Sequence, residues 1–106
     1  MTKEEYLSIG KNHLDYAKFN DCFYIPGKGR WFNGAYQVAE FKANGYARIY
    51  YKCMLDDEGD IITGTEFFEV NEPSEFEDII RKFQKSYKEA LVEQKLRSID
   101  EDFKND

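Results

Sequence analysis

Asp56, Asp57, Glu58 and Asp60, packed around Gly59, form the densest group in the chain that could hold a cation or move a proton. Their spacing supports neither chemistry. An EF-hand loop starts on an acidic ligand, and setting Gly59 at the loop's glycine puts Met54 in that first position. Paired carboxylates raise each other's pKa when withdrawn from water, whereas Asp56 and Asp57 fall on an exposed turn. His13 is the single histidine, so no His-based metal cluster can assemble, and a Cys–His relay with Cys22 would lack a third group to orient it. Pro26-Gly27-Lys28-Gly29 sets lysine between glycines, but G-x-x-x-x-G-K-[ST] is absent. The next residues, Arg30-Trp31-Phe32, read as strand and not as a helix whose N-terminus could hold phosphate. The expectation is a protein that is not an enzyme, with no catalytic residue, no metal site and no cofactor.

The elements around these residues read from either side of a central run, Gly29 to Asn71, as three consecutive strands. Asn44-Gly45 separates Phe32–Lys42 from Tyr46–Leu55 and predicts a type I′ hairpin, whose two central residues both take positive φ. With Ala43 opposite Tyr46, Val38 faces Tyr51, Tyr36 faces Cys53 and Glu40 faces Ile49 on a core side. Phe41, Ala39 and Gln37 face Arg48, Tyr50 and Lys52 on the other. Asp56 to Asp60 predicts a three-residue loop with Gly59 in the left-handed bulge position, which sets Leu55 opposite Ile61 and Phe67 opposite Ile49. Tyr46, Met54, Ile62, Glu66, Phe68 and Val70 then join the second, mixed face.

Thr2 and Glu5 fit a capping box that opens a helix from Lys3 to about Phe19, weakened at Gly10, and Cys22–Ile25 reads as a short strand. Ser74 and Glu77 fit a second box. Behind it Phe76, Ile79, Ile80, Phe83, Tyr87, Ala90 and Leu91 recur at helical spacing, a stripe wide enough to cover a sheet. Val92, Leu96, Ile99 and Phe103 form a second line, offset by one residue, that would suit a homodimer contact. The predicted fold is α+β: one domain over 1–106, a three-stranded antiparallel β-meander flanked by an N-terminal helix and a long C-terminal helix, in the order α-β-β-β-α. Its 106 residues suffice for a core without staples. Two cysteines, no secretory apolar region and no membrane-length apolar run point to a cytoplasmic protein with free thiols and no membrane partner.

Charge is the feature that bears on function. Between Cys53 and Ile80 there are ten acidic residues and no Lys or Arg, while the whole chain carries 21 acidic and 15 basic residues, a net of −6. One quarter of the sequence thus holds more than all of the excess negative charge. An acidic run can simply keep an aromatic-rich surface solvated. It can also stand in for nucleic-acid phosphates and dock on a surface lined with Lys and Arg. On that reading the partner-binding residues are Asp56, Asp57, Glu58, Asp60, Glu66 and Glu69, with Tyr46, Tyr50 and Phe68 as aromatic anchors. The net charge disfavours direct nucleic-acid binding, although Lys28, Arg30, Trp31, Arg48 and Tyr50 form a local basic and aromatic group. The alternative is a small-molecule-binding or regulatory module that uses the Lys28–Trp31 corner.

In size, acidity, lack of catalytic residues and helix–strands–helix plan, the chain resembles the small phage-encoded inhibitors of bacterial defence systems, anti-CRISPR proteins in particular. Immunity proteins that neutralise nuclease toxins share these traits. The resemblance covers the whole chain and rests on no motif, so it carries over no functional residue. It implies a partner that handles nucleic acid, such as a CRISPR effector nuclease, blocked by occlusion or by trapping a conformation.

Overall fold

The structure is a computed structural model that describes residues 1–29 and 33–104, with side chains over 1–29 and 33–99. It is α+β, with two α-helices and seven short antiparallel strands among the described residues. Helix α1 (Lys3–Lys11) is followed by β1 (Asp15–Ala17) and β2 (Cys22–Tyr24). A 3-10 turn over Gly34–Tyr36 leads into β3 (Gln37–Phe41), β4 (Ala47–Tyr50), β5 (Cys53–Leu55), β6 (Ile61–Thr63) and β7 (Phe67–Val70), and α2 (Pro73–Lys104) completes the order. Five strands form one sheet in the order β1-β2-β3-β4-β7, and β5-β6 form a separate pair. The expected three-stranded meander is therefore corrected to seven strands. β1 comes from sequence read as helix, β2 is the short strand expected at Cys22–Ile25, and each of the last two expected strands is broken in two.

The first correction lies in α1. Its capping box forms as expected, with Thr2 Oγ1 accepting from Glu5 N at 3.1 Å and Glu5 Oε1 from Thr2 N at 2.9 Å. The helix stops at Lys11 and not near Phe19, because the amides of His13 and Leu14 both turn back to the carbonyl of Gly10. The chain then enters a tight hairpin, whose turn holds Asp21 at φ 54° while Asn20 Oδ1 accepts from Cys22 N. Leu14 and Ala17 are buried in that hairpin, so the spacing that suggested a helix is satisfied by a bent strand pair. Gly10 is needed for contact. A Cβ there would sit 2.2 Å from the Phe23 ring, and Phe23 is fully buried between Tyr6 and Tyr16.

Registers account for the other corrections. At Asn44-Gly45 only Gly45 has positive φ, 84°. Gly45 N donates to Lys42 O and Lys42 N to Tyr46 O, so the loop is the three-residue bulged form and not type I′. One residue of slip exchanges the faces. Ala39 faces Ile49 and Phe41 faces Ala47 toward the helices, while Glu40, expected opposite Ile49 in the core, faces Arg48 on the solvent side. The β2–β3 register passes over Val38, a bulge that lets Val38 and Ala39 both be fully buried. The 56–60 loop forms as expected, with Gly59 at φ 83° and Leu55 opposite Ile61. Beyond Lys52 and Gly64 the single residue Tyr51 stands against Thr65 and Glu66, so Phe68 and not Phe67 lies opposite Ile49. Phe67 comes out on the solvent face. Tyr36, expected opposite Cys53, sits in the 3-10 turn instead.

Both helices cover the same face of the five-stranded sheet. Helix α2 begins at Pro73, where a missing N–H costs nothing, and its first bond runs from Phe76 N to Glu72 O. Ser74 thus lies inside the first turn and not at the cap. Phe76, Ile80 and Phe83 are fully buried, with Ile79 and Ala90 nearly so. Tyr6 of α1 is fully buried where these elements meet, its ring centroid 5.0 Å from that of Phe23 and 5.2 Å from those of Phe41 and Phe76. Its hydroxyl donates to Asp21 O at 3.1 Å. Farther along α2, Val92, Leu96 and Ile99 are each at least half exposed, and the Phe103 side chain lies outside the described residues.

Substitutions at Gly10 and Tyr6 test this core. Gly10→Ala should destabilise by about 1–3 kcal/mol despite alanine's better helix propensity, since the clamped ring must move, and Phe23→Leu in the same chain should recover part of the loss. Tyr6→Phe should cost about 1 kcal/mol for the lost hydroxyl bond and Tyr6→Ala about 3–5 kcal/mol, both read by urea unfolding.

Candidate functional site

The solvent face of the five-stranded sheet carries alternate residues of β3, β4 and β7. Arg48 lies between two carboxylates, 3.2 Å from Glu69 and 3.8 Å from Glu40, and its guanidinium sits 4.4 Å over the Phe67 ring. Its pKa is raised, first by the Glu69 hydrogen bond. Lys42 reaches Glu40 at 2.9 Å, and Tyr50 meets Phe67 edge-on at 5.5 Å. Tyr46 and Phe67 remain over a third exposed. Of the three expected anchors, Tyr46 and Tyr50 share this face. Phe68 does not: the register sends it to the α2 side, where its ring lies 4.8 Å from that of Tyr51 at a tilt of 33° and under Lys82.

The acidic residues divide by what their oxygens already do. Asp56 Oδ1 accepts from the amides of both Glu58 and Asp60 at 2.9 Å, so it holds the loop closed. Asp60 accepts from the Tyr36 hydroxyl, raising the tyrosine's pKa, and lies 3.6 Å from Lys28. Glu66 is taken by Lys52 at 2.7 Å and the Tyr51 hydroxyl at 2.7 Å, and those two bonds, lysine first, hold its carboxyl below the usual range. Glu69 pairs with Arg48. Glu77 and Asp78 pair with Arg81 at 2.8 Å and 3.8 Å. Of the acidic run between Cys53 and Ile80 this leaves Asp57 and Glu58 at the loop tip, and Glu72 and Glu75 at the head of α2, exposed and without a cation.

The expected acidic band is thus neutralised in its middle and open at two ends. The loop end is fixed against α2 by Gln94 Nε2, which donates to Gly59 O at 2.9 Å. The other end borders a groove of about 540 Å³ between β7 and α2, floored by Phe68, Val70 and Ile79 and rimmed by Glu75, Asp78 and Lys82. Helical rise puts Glu75 and Gln94 about 28 Å apart. Sequence reasoning missed Phe68, Val70, Glu75, Asp78 and Ile79 as one neighbourhood. The signal was there in part: the third expected strand could only be an edge, followed at once by the α2 carboxylates.

The remaining chemistry-bearing residues are engaged in structure. His13 Nδ1 lies 3.2 Å from Gln84 Nε2, which links the end of α1 to α2. Cys22 packs with Ala17 and Tyr24 against Tyr36, and burial followed by the Glu40 and Asp21 charges pushes its thiol up to about 11. Cys53 donates its amide to Ser86 Oγ at 2.8 Å, and burial pushes its thiol up to about 12. Lys28 is held by Asp60 and by the Tyr36 ring, 5.0 Å away, while its expected neighbours Arg30 and Trp31 lie outside the described residues. A wide hollow of about 600 Å³ opens beside β1, where Asp15 Oδ2 accepts from Gly27 N at 2.6 Å. No helix among the described residues is long and apolar enough to cross a membrane, and no three of their His, Cys, Asp or Glu side chains converge to hold a metal ion.

Comparison with protein-family models, with curated proteins and with solved structures finds no match.

The thiols give a direct check on this chemistry. A thiol raised from 9.0 to about 11 or 12 in the fold stabilises the folded state fully below pH 9 and loses that contribution as pH rises toward the folded value. Both cysteines should react with a disulfide reagent at pH 8 at least about tenfold more slowly in the native protein than in denaturant. A native rate equal to the denatured one would remove the structural assignment of Cys22 and Cys53.

Proposed function

We propose that the protein is a non-enzymatic binding protein that inhibits a nucleic-acid-handling protein, such as a CRISPR effector nuclease, by occupying its basic surface. One observation carries this reading: two exposed groups of carboxylates without cations, Asp57 with Glu58 and Glu72 with Glu75, held apart by a rigid helix. The helix between them rises about 28 Å from Glu75 to Gln94, the length of about eight phosphates along one strand at 3.4 Å each. Unpaired surface carboxylates cost little in stability and steer association with a cationic surface. Glu66 and Glu69 in the middle already have cations, so they contribute shape and register more than free charge. Tyr46, Tyr50 and Phe67 supply the apolar contact that gives such a surface residence time.

The test is retention of a nucleic-acid-handling protein from bacterial lysate on the immobilised protein at low and high salt, followed by an activity assay of the purified target. Asp56 is left alone because it closes its own loop. Asp57→Lys/Glu58→Lys and Glu72→Lys/Glu75→Lys should each weaken binding by at least about tenfold, and affinity should fall steeply with ionic strength. Retention unchanged by both reversals and by salt, or a retained target whose activity is unaffected, would overturn the reading.

A further inference from the structure

Strand β7 ends the five-stranded sheet, and among the described residues no strand pairs with its outer side. The direction of its free groups follows from the ladder. Lys42 N donates to Tyr46 O, so alternation makes Arg48 the β4 residue that bonds to β3, and Ala47 and Ile49 the residues that bond to β7. Their partners, Val70 and Phe68, therefore point their backbone inward. The N–H and C=O groups of Phe67 and Glu69 point out from the edge. Natural edges are usually protected by lysine, proline or a bulge within the strand. Here the bulge at Thr65–Glu66 comes before the strand, and Phe-Phe-Glu-Val contains neither lysine nor proline.

The edge also forms one wall of the groove whose floor is Phe68, Val70 and Ile79 and whose rim carries Glu75 and Asp78 at one end and Lys82, over the Phe68 ring, at the other. An open strand beside a helix, with an apolar trough between them, is the shape that receives an extended peptide as an added strand. The charge selects the occupant. Glu66, Glu69 and Asp78 along this edge already face Lys52, Arg48 and Arg81, while Glu72 and Glu75 carry no cation, so a second copy would set two uncompensated carboxylates against two more and a cationic strand would neutralise them.

We propose that β7 captures an extended basic segment of the partner protein by strand addition, with backbone bonds to Phe67 and Glu69. An apolar residue of the segment seats between Phe68 and Ile79, and Lys or Arg residues of the segment meet the unpaired Glu72 and Glu75. This rests on the proposed function and names how the partner is engaged.

The probe is a fluorescein-labelled peptide of alternating Lys and Val, compared with its Glu–Val counterpart and with a version N-methylated at alternate amides. Binding is followed by polarisation and by amide exchange in the intact protein. The expected result is selective binding of the Lys–Val peptide, with exchange at Phe67 and Glu69 slowed by at least about tenfold, and loss of both with N-methylation. Glu69→Pro removes one outward N–H at a position where an edge strand tolerates proline and should abolish that binding, whereas Glu69→Gln should only reduce it. Equal binding of the N-methylated peptide, binding without protection at Phe67 and Glu69, or no binding at about millimolar peptide would overturn strand addition. Self-association that protects the same two amides would overturn it in favour of a second copy. If the peptide fails while the lysate target is still retained and lost on charge reversal, the edge assignment falls and the proposed function stands.

Discussion

Every layer of this molecule converges on the Tyr6 ring. It contacts Phe23 of β2, Phe41 of β3 and Phe76 of α2 within about one ring spacing, and it comes from a helix of only nine residues. Such a helix is too short to persist alone, so α1 exists because the sheet and α2 give its one large side chain a place to be buried. The dependence runs the other way as well. Phe23 and Phe41 sit in strands of three and five residues, and α1 is the lid that keeps their rings from water. Gly10 completes the arrangement by letting the helix backbone lie on the edge of the Phe23 ring.

The glycines at the hairpin loops decide which side of each strand sees that core. Gly45 takes the left-handed conformation alone, without Asn44, and this one torsion moves Glu40 out to Arg48 and brings Ala39 into the interior. The same logic at Gly59 agrees with the alternation of Leu55 and Ile61, and there the sequence could be read correctly. Asn-Gly is compatible with both a two-residue and a three-residue loop, and the choice belongs to the packing of Ala39 and Ile49 against the helices. The α2 stripe was legible because its spacing repeats over many turns. Of the β1–β2 hairpin only the second strand, at Cys22–Ile25, was legible; β1 was not, because Leu14 and Ala17 fit a helix as well as a bent strand pair. The bulge opposite Tyr51 had no local signature and decides which of two consecutive phenylalanines is outside.

The acidic run was legible as charge and not as arrangement. Its members differ in what the fold asks of them: Asp56 closes a loop, Asp60 ties that loop to the 3-10 turn, and Glu66 and Glu69 bind cations across strands. Each of these tasks depends on a neighbour brought by register, which composition does not contain. What is left over, at the loop tip and at the head of α2, is where negative charge has no internal use.

Helix α2 spans about 48 Å by its rise, while the molecule measures 55 Å along its greatest extent. The β5–β6 pair is attached to it at Cys53–Ser86 and again at Gly59–Gln94, and the bulge interrupts its ladder with the main sheet. The helix is thus a spar to which the strand pair is lashed at two points, with Asp60 supplying a third tie to Tyr36 and Lys28.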